Sequence, residues 1–176
     1  MSLLLKNVTA VVLHPPSIEQ CDLRIADGDI VARSPTLRRN RDDELMDLAG
    51  LVVMPGFVCS HTHLYSALSR GMPPPASAPG NFIQILNRIW WKLDTALDEE
   101  AIHTSALVGA IEAVKLGTTT LVDHHASPNC IRGSLDLVKD ALSRVGVRGV
   151  LCYETTDRGG KRRRNLGLDE NERFVT

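Results

Sequence analysis

The sequence predicts an α/β fold: a parallel sheet with helical crossovers, preceded by a small all-β unit. Three observations lead there. Residues 1–54 hold several apolar, Val- and Leu-rich stretches with no helical periodicity. From Pro55 the pattern changes to strand, helix, strand, helix, strand, the order that builds parallel sheets. Polar residues then collect at the C-terminal ends of these strands: His61 and His63, next Asp123, His124 and His125, then Glu154. Strand C-termini are where α/β barrels build their sites.

The elements follow in order. Residues 2–13 (Ser-Leu-Leu-Leu-Lys-Asn-Val-Thr-Ala-Val-Val-Leu) read as a strand. Residues 21–34 read as a hairpin turning at Asp27-Gly28-Asp29, because Asp-Gly between apolar runs favours the tight turns of hairpins. Residues 35–43 carry Arg38, Arg39 and Arg41 and read as a solvated loop, and 44–53 return to strand character. Phe57 to Ser60 is a short apolar strand. Residues 71–80 contain four prolines, which remove donors and fix φ, so this stretch is a loop placed to cover whatever lies at the strand end.

Asn81 can cap a helix to about Leu93, with Phe82, Ile85, Leu86 and Ile89 at helical spacing. Asp98 starts a longer helix to Leu116, ended by Gly117. Thr118 to Asp123 is a strand closing on His124 and His125. Ser134 to Val145 is a helix closed by Gly146, and Val147 to Tyr153 a third strand. The run Lys161-Arg162-Arg163-Arg164 after Gly159-Gly160 reads as a solvated basic loop, with Leu168 to Phe174 able to open another helix.

Composition bounds the function. The chain has 176 residues, 43% hydrophobic, with net charge −1, so nothing argues for nucleic acid or an anionic membrane as partner. No apolar run approaches a transmembrane length. The four cysteines, Cys21, Cys59, Cys130 and Cys152, form no Cys-x-x-Cys pair and read as reduced thiols of a cytoplasmic protein.

His61-Thr62-His63 is the motif with chemistry in it. Residues two apart on a strand share a face, so both imidazoles point the same way. Neutral imidazole suits zinc or iron. A catalytic zinc usually takes three protein ligands and leaves one position open, so two histidines begin such a site without completing it. Of the strand-end pair, one histidine faces the pocket, and we favour His124, as a substrate contact or as a ring bonded to a nearby carbonyl. Asp123 either orients a ligand histidine or caps the strand end. Trp90 and Trp91 are the only tryptophans; an indole suits a pocket that stacks a flat ring, and Trp90 is the one selected. Cys59 shares parity with His61 and is expected to point inward as filling. Glu154 either reaches the site or pairs with an arginine.

Pro55-Gly56-Phe57-Val58-Cys59-Ser60-His61-Thr62-His63-Leu64 resembles the first barrel strand of the amidohydrolase superfamily. Within it, the stretches 61–71, 89–94 and 122–129 are most similar to the metal-dependent aminohydrolase and chlorohydrolase subgroup, closest to SsnA-type aminohydrolases. The resemblance implies an incomplete (β/α)8, TIM-like barrel: residues 1–54 as part of a small β-sandwich, residues 55–176 as the first three β-α units. It implies a divalent metal, zinc or iron, held by His61 and His63, with His124 and Trp90 toward the substrate. The reaction implied is hydrolytic deamination at a C–N bond of an amino-substituted heterocycle, a small molecule.

The family's third histidine ligand and its acid/base residues have no counterpart after Glu154, since no histidine follows His125. The expectation is therefore an N-terminal fragment with no catalytic residue of its own. The alternative is a catalytically inactive stand-alone protein, or one half of a two-chain assembly, with self-association through the open barrel edge.

Overall fold

The computed structural model describes residues 2–176, and the chain divides into two compact units, residues 1–55 and 56–176. In the first unit, β1 (Ser2–Leu13), β2 (Pro16–Ala26), β3 (Asp29–Ser34), β4 (Asp43–Asp47) and β5 (Val52–Val53) form one mixed sheet. β1 is its centre: it pairs antiparallel with β2 and parallel with both β4 and β5. The β2–β3 turn has positive φ at both Asp27 (52°) and Gly28 (88°), the type I′ geometry whose twist matches that of the flanking strands. Strand β2 begins well before Cys21, so β1 and β2 form a second, longer hairpin that the sequence pattern does not announce. Alternation buries Leu5, Val8, Ala10, Cys21 and Leu23 on one face.

The arginine-rich stretch before β4 is more than a solvated loop. Asp43 is buried and takes Arg24, Ser2 and the Asn40 N–H, and these partners hold its carboxyl well below the usual range. Arg24 also donates to the Arg38 carbonyl at 2.6 Å. The loop's backbone is therefore tied to the sheet even though most of its side chains are exposed.

In the second unit, β6 (Phe57–Thr62), β7 (Thr118–His125) and β8 (Arg148–Tyr153) form a parallel sheet in sequential order. Helix α3 (Glu99–Lys115), capped by the Asp98 carboxylate on the Ala101 N–H at 2.8 Å, and helix α4 (Ser134–Val145) cover one face. Gly117 (φ 80°) and Gly146 (φ 82°) end these helices in the left-handed conformation that glycine adopts without strain. Ile102, Ala106, Ala110, Leu121, Val138, Ala141 and Leu142 form the core between sheet and helices.

Opposed residues of parallel strands face the same way. One row runs Cys59, Leu121, Gly149 on the helix-covered side; another runs His124, Cys152 on the open side. Between Cys59 and Thr62 strand β6 holds one residue more than β7 does between Leu121 and Asp123, a β-bulge. The bulge breaks the parity expected from sequence: Cys59 packs against the helix-side core instead of sharing a face with His61.

Two further expectations need correction. The helix after Asn81 is not uniform: α1 (Phe82–Ile85) passes through a π-helical turn (Leu86–Trp90) into α2 (Trp91–Thr95). A π turn holds an extra residue and rotates everything beyond it, so Trp90 and Leu93 reach the core while Phe82 stays 67% exposed. The basic run is likewise not loop. It forms the first turn of α5 (Gly160–Val175), which begins well before Leu168.

Helix α5 is anchored by Glu170, 2% exposed, whose carboxylate accepts the Gly133 and Leu135 N–H groups at the start of α4 (3.0 and 3.1 Å). Gly133 offers α4 no side-chain cap, so Glu170 supplies one from another helix. Burial pushes the Glu170 carboxyl up, but Arg173 and the two N–H groups outweigh it and hold it below its ordinary value. A carboxyl lowered on folding stabilises above its unfolded pKa and loses that contribution as pH falls through the folded one. Glu170→Gln is therefore expected to destabilise the protein by about 2 kcal/mol at pH 7. In urea denaturation the difference from wild type should shrink as pH falls below 4.5, the ordinary value.

Candidate metal and substrate site

His61 lies within the bulge of strand β6, and His63 directly follows the strand's last residue, Thr62. The His61 and His63 rings lie 4.8 Å apart, edge to face. His63 Nδ1 is 3.0 Å from the His124 carbonyl. A carbonyl only accepts, so Nδ1 carries the proton and, in the neutral ring, Nε2 keeps its lone pair. A ligand histidine is typically prepared in this way, with its far nitrogen tied to a carbonyl or carboxylate.

Asp123 acts on the backbone around the motif, not on a ring. It is buried, and its Oδ1 accepts the Leu64 N–H at 2.7 Å and the Thr62 hydroxyl at 3.0 Å. These two residues flank His63. The carboxylate thus clamps the chain on both sides of the histidine and joins the ends of β6 and β7. Burial pushes the Asp123 carboxyl up, against the Leu64 N–H and the Thr62 hydroxyl, which favour its charged form.

The other singled-out residues divide between two places. His124, on the open side of β7, has its ring 5.5 Å from that of His63; Trp90 lies 5.9 Å from it. His61, His63, His124 and Trp90 therefore gather at the strand ends. His125, one residue on, is fully buried on the opposite side. Ser127 Oγ spends its proton on the Cys130 carbonyl, so it accepts from His125 Nε2–H at 2.9 Å. Burial lowers the His125 pKa to about 4.

Trp91 faces away from this group and lies under the Arg158 guanidinium, 5.0 Å from its carbon. Arg158 bonds the buried Asp94 at 2.7 Å and lies 3.7 Å from Glu154, so Glu154 takes the arginine of its two options. His103 is a helix-surface residue bonded to Asp140.

Tyr65, missed at the sequence level, is 6% exposed and meets the rings of His63, Trp90 and His125. Its signal was weak: one tyrosine two residues after the motif. Burial, then the charges of Asp94 and Glu154, push its phenol well above the ordinary value, so it stays neutral. Among the described residues no three His, Cys, Asp or Glu side chains converge as a metal-binding group. The paired imidazoles and the prepared Nε2 fit part of a metal's ligand set.

The amidohydrolase family model matches residues 52–175. The chain belongs to the amidohydrolase family. Among relatives of this amidohydrolase chain is a 5-methylthioadenosine/S-adenosylhomocysteine deaminase of Thermococcus sibiricus, 29% identical over 175 residues, 99% of this chain and 38% of the relative. A 5'-deoxyadenosine deaminase of Methanobrevibacter smithii is 30% identical over 164 residues, 92% of this chain and 35% of the relative. The chain thus spans little more than a third of these relatives' length.

Among solved structures, zinc-complexed atrazine chlorohydrolase TrzN from Arthrobacter aurescens TC1 superposes with TM-score 0.72 at 21% identity, over 90% of this chain and 37% of that one. Guanine deaminase of E. coli gives 0.69 at 16% identity, over 98% and 42%. These two likenesses establish the fold.

Two predictions follow from the site's geometry. Asp123→Ala leaves the Leu64 N–H without its partner and should cost about 2 kcal/mol in chemical denaturation, whereas Asp123→Asn, which keeps an acceptor, should recover part of that loss. His125 titrates near 6.5 when unfolded and about 4 when folded, so the unfolded chain binds more protons between those values. Stability is therefore present at neutral pH and lost on acidification, by about 2 kcal/mol between pH 7 and pH 5, measurable as a shift in urea midpoint.

Proposed function

We propose that this chain is the N-terminal part of a metal-dependent hydrolase that deaminates a small, amino-substituted heterocycle at a C–N bond. The observation that carries it is the pairing of His61 and His63 with the His63 Nε2 lone pair held free by the His124 carbonyl. His61 and His63 would hold a divalent metal, zinc or iron, both of which accept imidazole. When bound, such a metal supplies the Lewis acidity that makes hydroxide available at neutral pH. Trp90 would stack the flat ring of the substrate, and His124 would contact it from β7. The deaminases among the relatives support this choice of reaction.

In this reading residues 1–54 form part of a β-sandwich, and residues 55–176 form the first three β-α units of an eight-stranded barrel. The sequential parallel order of β6, β7 and β8 supports that reading. The remaining ligands and the groups that move protons would lie in polypeptide beyond these units, so this chain supplies no catalytic residue by itself. Its four cysteines are free thiols, which suits the reducing cytoplasm. No helix of the described residues is long and apolar enough to cross a membrane.

A second reading is a catalytically inactive chain, or one half of a two-chain assembly, that acts by association. It is favoured by Val58 and Val150, 63% and 61% exposed, and by the edges of β6 and β8, each without a second strand neighbour among the described residues. Such an edge with an apolar flank invites pairing with another strand.

Measuring bound zinc and iron together with ammonia release tests the proposal. The purified 176-residue chain is expected to retain metal weakly and to turn nothing over. Joined to polypeptide carrying the remaining barrel strands, it should bind one metal stoichiometrically and release ammonia, and His61→Ala or His63→Ala should abolish both. Tight stoichiometric metal and turnover by the isolated chain would overturn the N-terminal-part reading.

A further inference from the structure

A single hydrogen bond leaves an imidazole poorly fixed. His63 Nδ1–H on the His124 carbonyl defines one point of the ring, but rotation about the bond joining ring to chain is soft. Something must also fix the plane. His61 meets the ring edge to face from its own exposed position on the motif, so it is not a firm support. Trp90 lies 5.9 Å away, on a π-helical turn that needs support of its own.

Tyr65 joins these groups. It sits in the short 3-10 helix Leu64–Ser69 directly after the motif. Its ring lies 5.8 Å from that of His63 and 6.1 Å from that of Trp90, the latter near-perpendicular at 80°. Behind it stands His125, 5.8 Å away at 85°, the edge-to-face arrangement that aromatic rings prefer. His125 is immobilised in turn: it is fully buried, donates to Ser127, and meets Tyr153 at 5.9 Å. A row of rings thus runs from the core, Tyr153 to His125 to Tyr65, and ends on the imidazole and the indole of the site. Cores are packed too densely for such a row to shift without its neighbours.

We infer that Tyr65 is a positioning residue, backed by His125, that sets the ring plane of His63 and the seat of Trp90. Its consequence for metal affinity rests on His63 being a ligand, as proposed above; its consequence for the ring itself does not. The role belongs to the aromatic face, since it is the ring that meets all three neighbours. Tyr65→Phe should therefore preserve it and Tyr65→Leu should remove it.

The test is nitrogen-15 NMR of the histidine rings in the full 176-residue chain, with a cobalt(II) titration alongside. In wild type and Tyr65→Phe, His63 is expected as one tautomer with Nδ1 protonated. In Tyr65→Leu it should become a mixture of tautomers, and cobalt should bind roughly tenfold more weakly, the usual effect of removing a support behind a ligand. Circular dichroism checks that the variant is folded; if the leucine variant is not, Tyr65→Met fills the volume without a ring and takes its place.

A folded, ring-free variant that keeps the single tautomer overturns the inference. If wild type binds no cobalt even when joined to polypeptide carrying the remaining barrel strands, but the tautomer responds as described, the metal reading fails and the positioning role stands. If wild type binds cobalt and no substitution at Tyr65 alters tautomer or affinity, the positioning role fails alone.

Discussion

The carboxylate of Asp123 is the tie on which the candidate site depends. One oxygen, buried at the C-terminal end of β7, holds the chain immediately before and immediately after His63. Strand ends fray unless their last polar groups are paired, and this end carries the candidate site. Because the partners of Asp123 lie on β6 and just beyond it, the same contact fixes how far one strand end projects past the other. The His124 carbonyl, next along β7, is thereby placed where the His63 ring can donate to it. An imidazole whose tautomer is set by the backbone of the neighbouring strand is a product of strand pairing and not of the motif alone.

The bulge in β6 complements that tie. A strand without it would carry Cys59, His61 and His63 on one face. With one extra residue opposite Leu121 to Asp123, Cys59 turns into the helix-side core while the histidines come together beyond it. Bulges next to active sites re-aim side chains in this way. The π turn before Trp91 does the same in a helix: it shifts the phase so that Trp90 meets His63 and Trp91 meets Arg158. Both devices add a residue to a regular repeat, and both sit beside the same group of rings. Local departures from regular structure collect where function requires particular directions.

Around this group the buried polar residues serve architecture. Asp94 is occupied by Arg158, and Glu170 caps α4 from α5. A buried carboxylate needs such a partner, because its desolvation is otherwise too costly. His125, beside His124 in sequence, is held neutral in the core by burial. Adjacent histidines on a strand face opposite ways, and only one of the two lies near the His63 ring on the open side.

Much was legible from the amino acids alone. The boundaries of α3 and α4 follow from Asp98, Gly117 and Gly146, because capping and left-handed turns are local and each residue type signals its own preference. The Asp27-Gly28 hairpin is legible for the same reason, and the change of pattern at Pro55 separates all-β from alternating structure. The motif of paired histidines and its family likeness are likewise contained in a few contiguous residues. The facing of Cys59, the phase of Trp90, the helix formed by the basic run and the place of Tyr65 were decided only in the folded chain. Each depends on a register between segments distant in sequence, or on one inserted residue that leaves composition and spacing unchanged. Periodicity reads a chain one element at a time, whereas these features arise from what a second element requires of the first.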